Sequence, residues 1–187
     1  AAERDRVLAA LAAEGLLAAN GRRPVTGPPL RVALLTSRGS AACEDFLHEL
    51  TASGLGFTVR LHDVRVQGRE AEPTIVAALA SVDPDRTDVV ALVRGGGART
   101  DLAAFDTEGI ARAIAALPVP LVTGLGHEID RAVADEVAHT ARKTPTACAA
   151  WLVEQVRDWA QRADDTWAAV QERARRRLDQ HEARVER

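Results

Sequence analysis

Apolar residues in this chain fall into two rhythms. Three short runs are apolar without alternation: Arg31-Val-Ala-Leu-Leu-Thr36, Asp88-Val-Val-Ala-Leu-Val and Val119-Pro-Leu-Val-Thr-Gly-Leu. Runs of that length, rich in Val and Leu and bounded by turn residues, predict strands covered on both faces, as in a parallel sheet. A further segment, 57–64, alternates Phe57, Val59 and Leu61 with polar neighbours and predicts a strand nearer the sheet edge. Helical spacing occupies the intervals: 2–18 with a stop at Asn20-Gly21, 41–50, 72–82 with Pro73 near its first turn, 102–117, and a last stretch to about Ala138. This β-α repetition predicts a parallel sheet with right-handed crossovers.

From Pro145 the rhythm changes. Leu152, Val156, Trp159, Ala163, Trp167, Val170, Ala174, Leu178, His181 and Val185 recur at steps of three and four, with no Gly or Pro among them. Such a stripe predicts one long helix beginning near Thr146, running beyond Arg175 and leaving the domain with Trp159 or Trp167 exposed. The stripe admits weak residues and offsets of eleven, so it does not define a strict heptad coiled coil. The organisation expected is therefore an N-terminal helix and linker over 1–29, an α/β domain over 30–145, and a long C-terminal helix over 146–187.

Bulk properties narrow the classes. The chain has 187 residues, enough for one α/β domain with a real core, and its net charge of −3 argues against a uniformly basic nucleic-acid binder. No apolar run is long enough to span a bilayer and no signal peptide opens the chain, so a cytoplasmic protein without a membrane partner is expected. Cys43 and Cys148 lie in apolar helical patterns without metal-ligand spacing, which predicts buried free thiols. Every basic residue but Lys143 is Arg, a composition that suits bidentate phosphate contact and that codon bias also produces.

Candidate chemistry collects where the predicted strands end, at Ser37–Ser40, Arg94–Thr100 and Gly124–Asp130, along the edge at which open α/β sheets bind ligands. Arg94 with Gly95, Gly96 and Gly97 sets a fixed charge beside backbone N–H groups that no side chain screens, an arrangement suited to phosphate and expected to stand exposed. It is neither a Walker loop nor a dinucleotide fingerprint. His127 and Asp130, three apart at a predicted helix start, supply a proton-transfer group held neutral by the helix dipole and a carboxylate to orient it. Asp101 and Asp45 are first-turn carboxylates with an ordinary capping role as the alternative, and periodicity does not say whether Asp45 or Glu44 faces the strand ends. Thr144-Pro-Thr146 predicts a helix cap followed by Pro, with hydroxyls in reach of phosphate.

These residues, in this order, resemble the central catalytic domain of the exodeoxyribonuclease VII large subunit. The resemblance runs from Arg31-Val-Ala-Leu-Leu-Thr-Ser through Val66-Gln-Gly68, Arg94-Gly-Gly-Gly97 with Asp101-Leu102 and Phe105, Pro118-Val-Pro120, Gly126-His-Glu-Ile-Asp130, Ala134-Asp135 and Thr144-Pro-Thr-Ala147. It departs from the family at Val93, at Ala98-Arg99-Thr100, at Ala103, and in the first loop, Ser37-Arg38-Gly39-Ser40. The resemblance implies a nuclease that cuts single-stranded DNA from its ends into short oligonucleotides, requires no divalent metal, and works with several copies of a small helical subunit. Mg2+ dependence is the alternative. It also implies that Asp45, Arg94, His127 and Asp130 are the essential residues, and that the helix after Trp151 is the base of a helical arm.

The reading is a doubly wound, flavodoxin/Rossmann-like α/β sheet of four or more parallel strands with a projecting C-terminal helix that also offers a surface for self-association. Arg94 and the glycine N–H groups would neutralise phosphoryl oxygens, with Ser37, Ser40, Asp101 and Thr146 lining the phosphate or DNA site. His127 would activate water or protonate the leaving oxygen, Asp130 would orient it, and Asp45 would be a second proton-transfer group. A phosphate- or DNA-binding module without hydrolysis and an assembly scaffold are the competing readings.

Overall fold

The computed structural model describes residues 2–95, 99–126 and 131–185, excluding the side chains of residues 2, 99–101, 182, 183 and 185. The elements in chain order are α1 (Ala2–Ala13), β1 (Arg31–Thr36), α2 (Ala41–Ala52), β2 (Thr58–Asp63), α3 (Ala71–Ala80), β3 (Val89–Val93), α4 (Glu108–Ala116), β4 (Leu121–Gly124), α5 (Val133–Val137), β5 (Thr140–Arg142) and α6 (Pro145–Val185). Short 3-10 helices cover Pro84–Arg86 and Arg99–Asp106.

The strands form one sheet in the order β2-β1-β3-β4-β5, with every pairing parallel. The chain steps one way from β1 to β2, then reverses through β3, β4 and β5, so the switch point lies between β1 and β3. Ligands bind at the carboxyl ends of strands beside such a switch. The two sheet faces carry separate cores. Val32, Leu34, Val89, Ala91 and Val93 pack with Phe46 of α2 and Cys148 and Leu152 of α6. Ala33, Leu35, Val90 and Leu92 pack with Leu11 of α1, Ile75 of α3, Ile110 and Ile114 of α4 and Val133 of α5. Both Cys43 and Cys148 are buried free thiols, and burial pushes both thiol pKa values up.

Several expectations change. The stretch expected as one helix over 102–117 divides at Asp106-Thr107: a 3-10 turn ends at Asp106, whose Oδ1 accepts a hydrogen bond from the Val133 N–H at 2.9 Å, and α4 begins afterwards. The last helix before the long one occupies only Val133–Val137 among the described residues. A fifth strand, β5, follows it on the far edge. Asn20, expected as a helix stop, is wholly buried and has a larger role. Its Nδ2 donates to the Val119 carbonyl at 3.0 Å, while its Oδ1 accepts from the Leu121 and His139 N–H groups at 2.8 and 3.1 Å. One side chain thus ties the N-terminal segment to the entries of both β4 and β5.

The long helix behaves as its stripe predicts. Trp151, Leu152, Val153 and Val156 are buried, but from Arg157 to His181 every residue is exposed. Trp159, Trp167, Val170 and Leu178 stand uncovered along it. No described helix is long and apolar enough to cross a membrane.

Candidate active site at the carboxyl edge of the sheet

Parallel pairing brings Ser37, Arg94 and Leu125, the residues that follow β1, β3 and β4, to one edge. Helices α2 and α6, which share the sheet face covered by Phe46 and Leu152, also begin at this edge. The Oγ of Ser40 caps α2 by accepting from the Cys43 N–H at 3.2 Å, and the Oγ1 of Thr144 caps α6 by accepting from the Ala147 N–H at 3.0 Å. The Glu44 N–H bonds the Ser40 carbonyl, so the remaining first-turn N–H groups of α2 are those of Ala41 and Ala42. Two helix N-termini thus bias the edge toward negative charge.

Close packing fixes the entry of α6. A Cβ on Gly124, the last residue of β4, would lie 2.9 Å from the Thr144 carbonyl oxygen and 3.1 Å from Cys148 Cβ, so only glycine lets the first turn of α6 rest on the strand. Gly126 has φ +87°, the left-handed region, and a Cβ there would come within 4.0 Å of the carbonyl oxygens of Arg94, Gly95 and Lys143. Gly126 therefore lies against the backbone of Arg94 and Gly95 and against Lys143, the residue preceding the α6 cap.

Arg94 corrects an expectation. Placed after β3 with its N–H on the Gly124 carbonyl at 3.0 Å, it is 1% exposed and the largest fully buried side chain of the described residues. The glycine run suggested an exposed Arg; the side chain is buried instead. Burial to this degree is rare for arginine, and a guanidinium fixed in a low-dielectric setting acts more strongly on an anion than one in water.

Arg94 and Gly95 line a pocket of about 490 Å3 at the β1/β3 switch point, together with Ser37, Ser40, Ala41, Ala42, Arg65, Val66 and Gln67. Ser37 and Ser40 fall where the sequence places them, and the Ser37 hydroxyl donates to the Val64 carbonyl at 2.9 Å, binding the first loop to the segment after β2. Arg65 and Gln67 escaped sequence reasoning as site residues. The available signal was Val64-Arg-Val-Gln67, in which alternation past a strand end leaves the polar positions outward.

Asp45 is exposed on α2, one turn beyond Ala41, and Glu44 is exposed too; neither lines the pocket. Thr146 is exposed in the first turn of α6. Gly96, Gly97, His127, Asp130 and the Asp101 side chain lie outside the described residues. Among the described residues no three His, Cys, Asp or Glu side chains gather as a metal site. Asp135 frames the segment that follows the histidine motif. Its Oδ1 accepts from Thr123 Oγ1 at 2.5 Å and its Oδ2 from the Ala132 N–H at 3.0 Å, closing the start of α5 onto β4, and burial raises its carboxyl above the usual range.

An open α/β sheet with a buried Arg beside a helix N-terminus at its switch point defines the class: a doubly wound α/β protein with a pocket suited in charge to an anion at the carboxyl ends of its strands. The particular kind follows from its relatives. The family model described as "Exonuclease VII, large subunit" matches residues 16–187. An exodeoxyribonuclease 7 large subunit of Hahella chejuensis is 41% identical over 153 residues, covering 81% of this chain and 34% of the relative. That of Pseudomonas aeruginosa strain UCBPP-PA14 is 36% identical over 176 residues, covering 94% and 38%; that of Moorella thermoacetica is 40% identical over 188 residues, covering 98% and 46%. The chain belongs to the exonuclease VII large-subunit family, and it spans roughly a third to under a half of the length of these relatives.

Proposed function

We propose that this chain hydrolyses phosphodiester bonds of single-stranded DNA, cutting from the ends into short oligonucleotides. The observation that carries the reading is Arg94: a guanidinium buried at the switch point, beside the α2 N-terminus, in a member of a nuclease family. Such a fixed cation neutralises charge on the phosphoryl oxygens as the bond to the leaving oxygen lengthens. His127 takes the proton of the attacking water or delivers one to the leaving oxygen, and Asp130 orients its ring. Asp45 serves as the second proton-transfer group. Gly95, Gly96 and Gly97 offer N–H donors, and Ser37, Ser40, Asp101 and Thr146 border the strand.

The reaction proceeds without a divalent metal in this proposal, Arg94 supplying the charge neutralisation that a metal otherwise provides. The exposed distal stripe of α6 takes a small helical subunit or a second copy of the chain, and the protein works in the cytoplasm. The test incubates the full-length chain and its small subunit with end-labelled single-stranded oligonucleotide, with and without excess EDTA. Short products under both conditions are expected. Cleavage abolished by EDTA and restored by Mg2+ overturns the metal-free step; retention of the oligonucleotide without cleavage overturns hydrolysis.

A further inference from the structure

The segment after β2 contributes to the switch-point pocket in a way that Arg94 chemistry does not require. Val64 and Val66 are buried, whereas Arg65 and Gln67, which alternate with them, are exposed and line the pocket. The backbone is held there. The Arg65 N–H donates to Thr74 Oγ1 of α3 at 3.1 Å, the Val64 carbonyl accepts from Ser37, and Gly68 at φ +77° turns the chain away immediately afterwards. Two arginines thus line one cavity from strands on either side of β1, Arg94 buried and Arg65 exposed.

Their strand ends are two interstrand spacings apart, about 9.5 Å. That separation and a volume of about 490 Å3 exceed what one phosphoryl group fills and suit a nucleotide with its phosphate. We infer that Arg65 binds the phosphate adjacent to the one undergoing hydrolysis, with Gln67 beside the intervening nucleotide, so that the substrate strand runs along the sheet edge from β4 across β3 toward β2. The assignment rests on the nuclease reading for which phosphate is cleaved. It makes Arg65 a positioning residue: it fixes the register of the strand, while Arg94 meets the reacting group.

The test measures binding of a fluorescent single-stranded oligonucleotide to the full-length chain in a His127→Ala background, so that cleavage does not interfere, across a salt series. Arg65→Ala is expected to weaken binding about fivefold, a loss typical of one exposed ionic contact. It should also reduce the slope of log affinity against log salt by about 0.7, the release expected for one phosphate of a single strand. Arg65→Lys should restore most of the slope. In the His127-containing protein, Arg65→Ala should raise KM with kcat little changed. A neutral methylphosphonate placed one linkage from the scissile bond removes the charge that Arg65 would meet, so on that oligonucleotide the Arg65→Ala substitution should no longer change affinity. Unchanged affinity and slope in Arg65→Ala on the natural strand, or a loss that persists with the neutral linkage, overturns the assignment. Absence of cleavage by the wild type overturns the nuclease reading instead, and the binding series still decides the role of Arg65.

Discussion

Arg94 is buried and is also the cation of the proposed reaction, and its variants separate packing from chemistry. Removing a side chain that is 1% exposed leaves a void and strips its neighbours of contacts, so Arg94→Ala should destabilise the fold by about 2–4 kcal/mol as well as abolish cleavage. Arg94→Lys fills more of the space but replaces a planar fork with a point charge; it should recover part of the melting temperature and little of the activity. Near wild-type cleavage by the Lys variant would show that bidentate contact is not its role. His139 gives the second residue-scale prediction. Its ring lies 5.9 Å from Trp151, its Nδ1 meets Thr140 Oγ1 at 3.0 Å, and burial holds its pKa below the ordinary histidine value. A depressed folded-state pKa contributes stability above the unfolded value, about 6.5, that is lost as pH falls toward the folded one. Burial and the neighbouring Arg60 depress His62 in the same direction. Melting temperature should therefore fall on acidification from about pH 7.5 to about 5.5, and His139→Asn should show a shallower fall; an identical profile in the variant would remove His139 from the account.

At the scale of elements, the junction of β4 with α6 is the most constrained contact near the site. Gly124→Ala would set a methyl 2.9 Å from the Thr144 carbonyl, where backbone must move, and overpacking of this kind costs about 1–3 kcal/mol. The shift displaces the start of α6 and the Gly124 carbonyl that holds the Arg94 N–H, so activity should fall further than unfolding alone explains. A Gly124→Ala protein with normal melting temperature and activity would show that the junction yields freely. The same contacts explain what was legible in the chain. Runs such as Val89–Val93 announced central strands because both faces are covered, and the alternation of Phe57, Val59 and Leu61 announced the edge position of β2. The strand Thr140–Arg142 gave no such signal, being three residues long with no apolar run. The helix expected from 102 starts only at Glu108, after a 3-10 turn whose Asp106 bonds Val133, a residue 27 positions away that no local pattern reveals. The burial of Arg94 left no mark in the local glycine run, and the place of Arg65 in the pocket depends on strand order, which puts β2 next to β1. Ser37 and Ser40 were found because a turn after a central strand is recognisable in one dimension.

For the molecule as a whole, α6 joins the carboxyl edge of the sheet to surfaces far from it. Its 41 residues amount to about 60 Å, and its first turn is clamped against Gly124 while everything from Arg157 to His181 is exposed. Because an α-helix turns by a fixed angle at each residue, the clamp sets the compass bearing of Trp159, Trp167, Val170 and Leu178 relative to Arg94. One alanine inserted after Arg162 would swing the distal stripe by about 100° without touching the sheet, whereas seven would return it to within about 20° of its original bearing, roughly 10 Å further out. Melting temperature should be nearly unchanged in both, while association through the stripe, followed by sedimentation of the full-length chain with the small subunit proposed for it, should be lost in the first and largely regained in the second. Equal association by the two would mean that the helix acts as a tether whose rotational setting is irrelevant. Loss in the first alone would mean that the chain carries its angular reference from the end of β4 outward, so that insertions and deletions along the exposed helix are tolerated by the fold and selected by their remainder after division into turns.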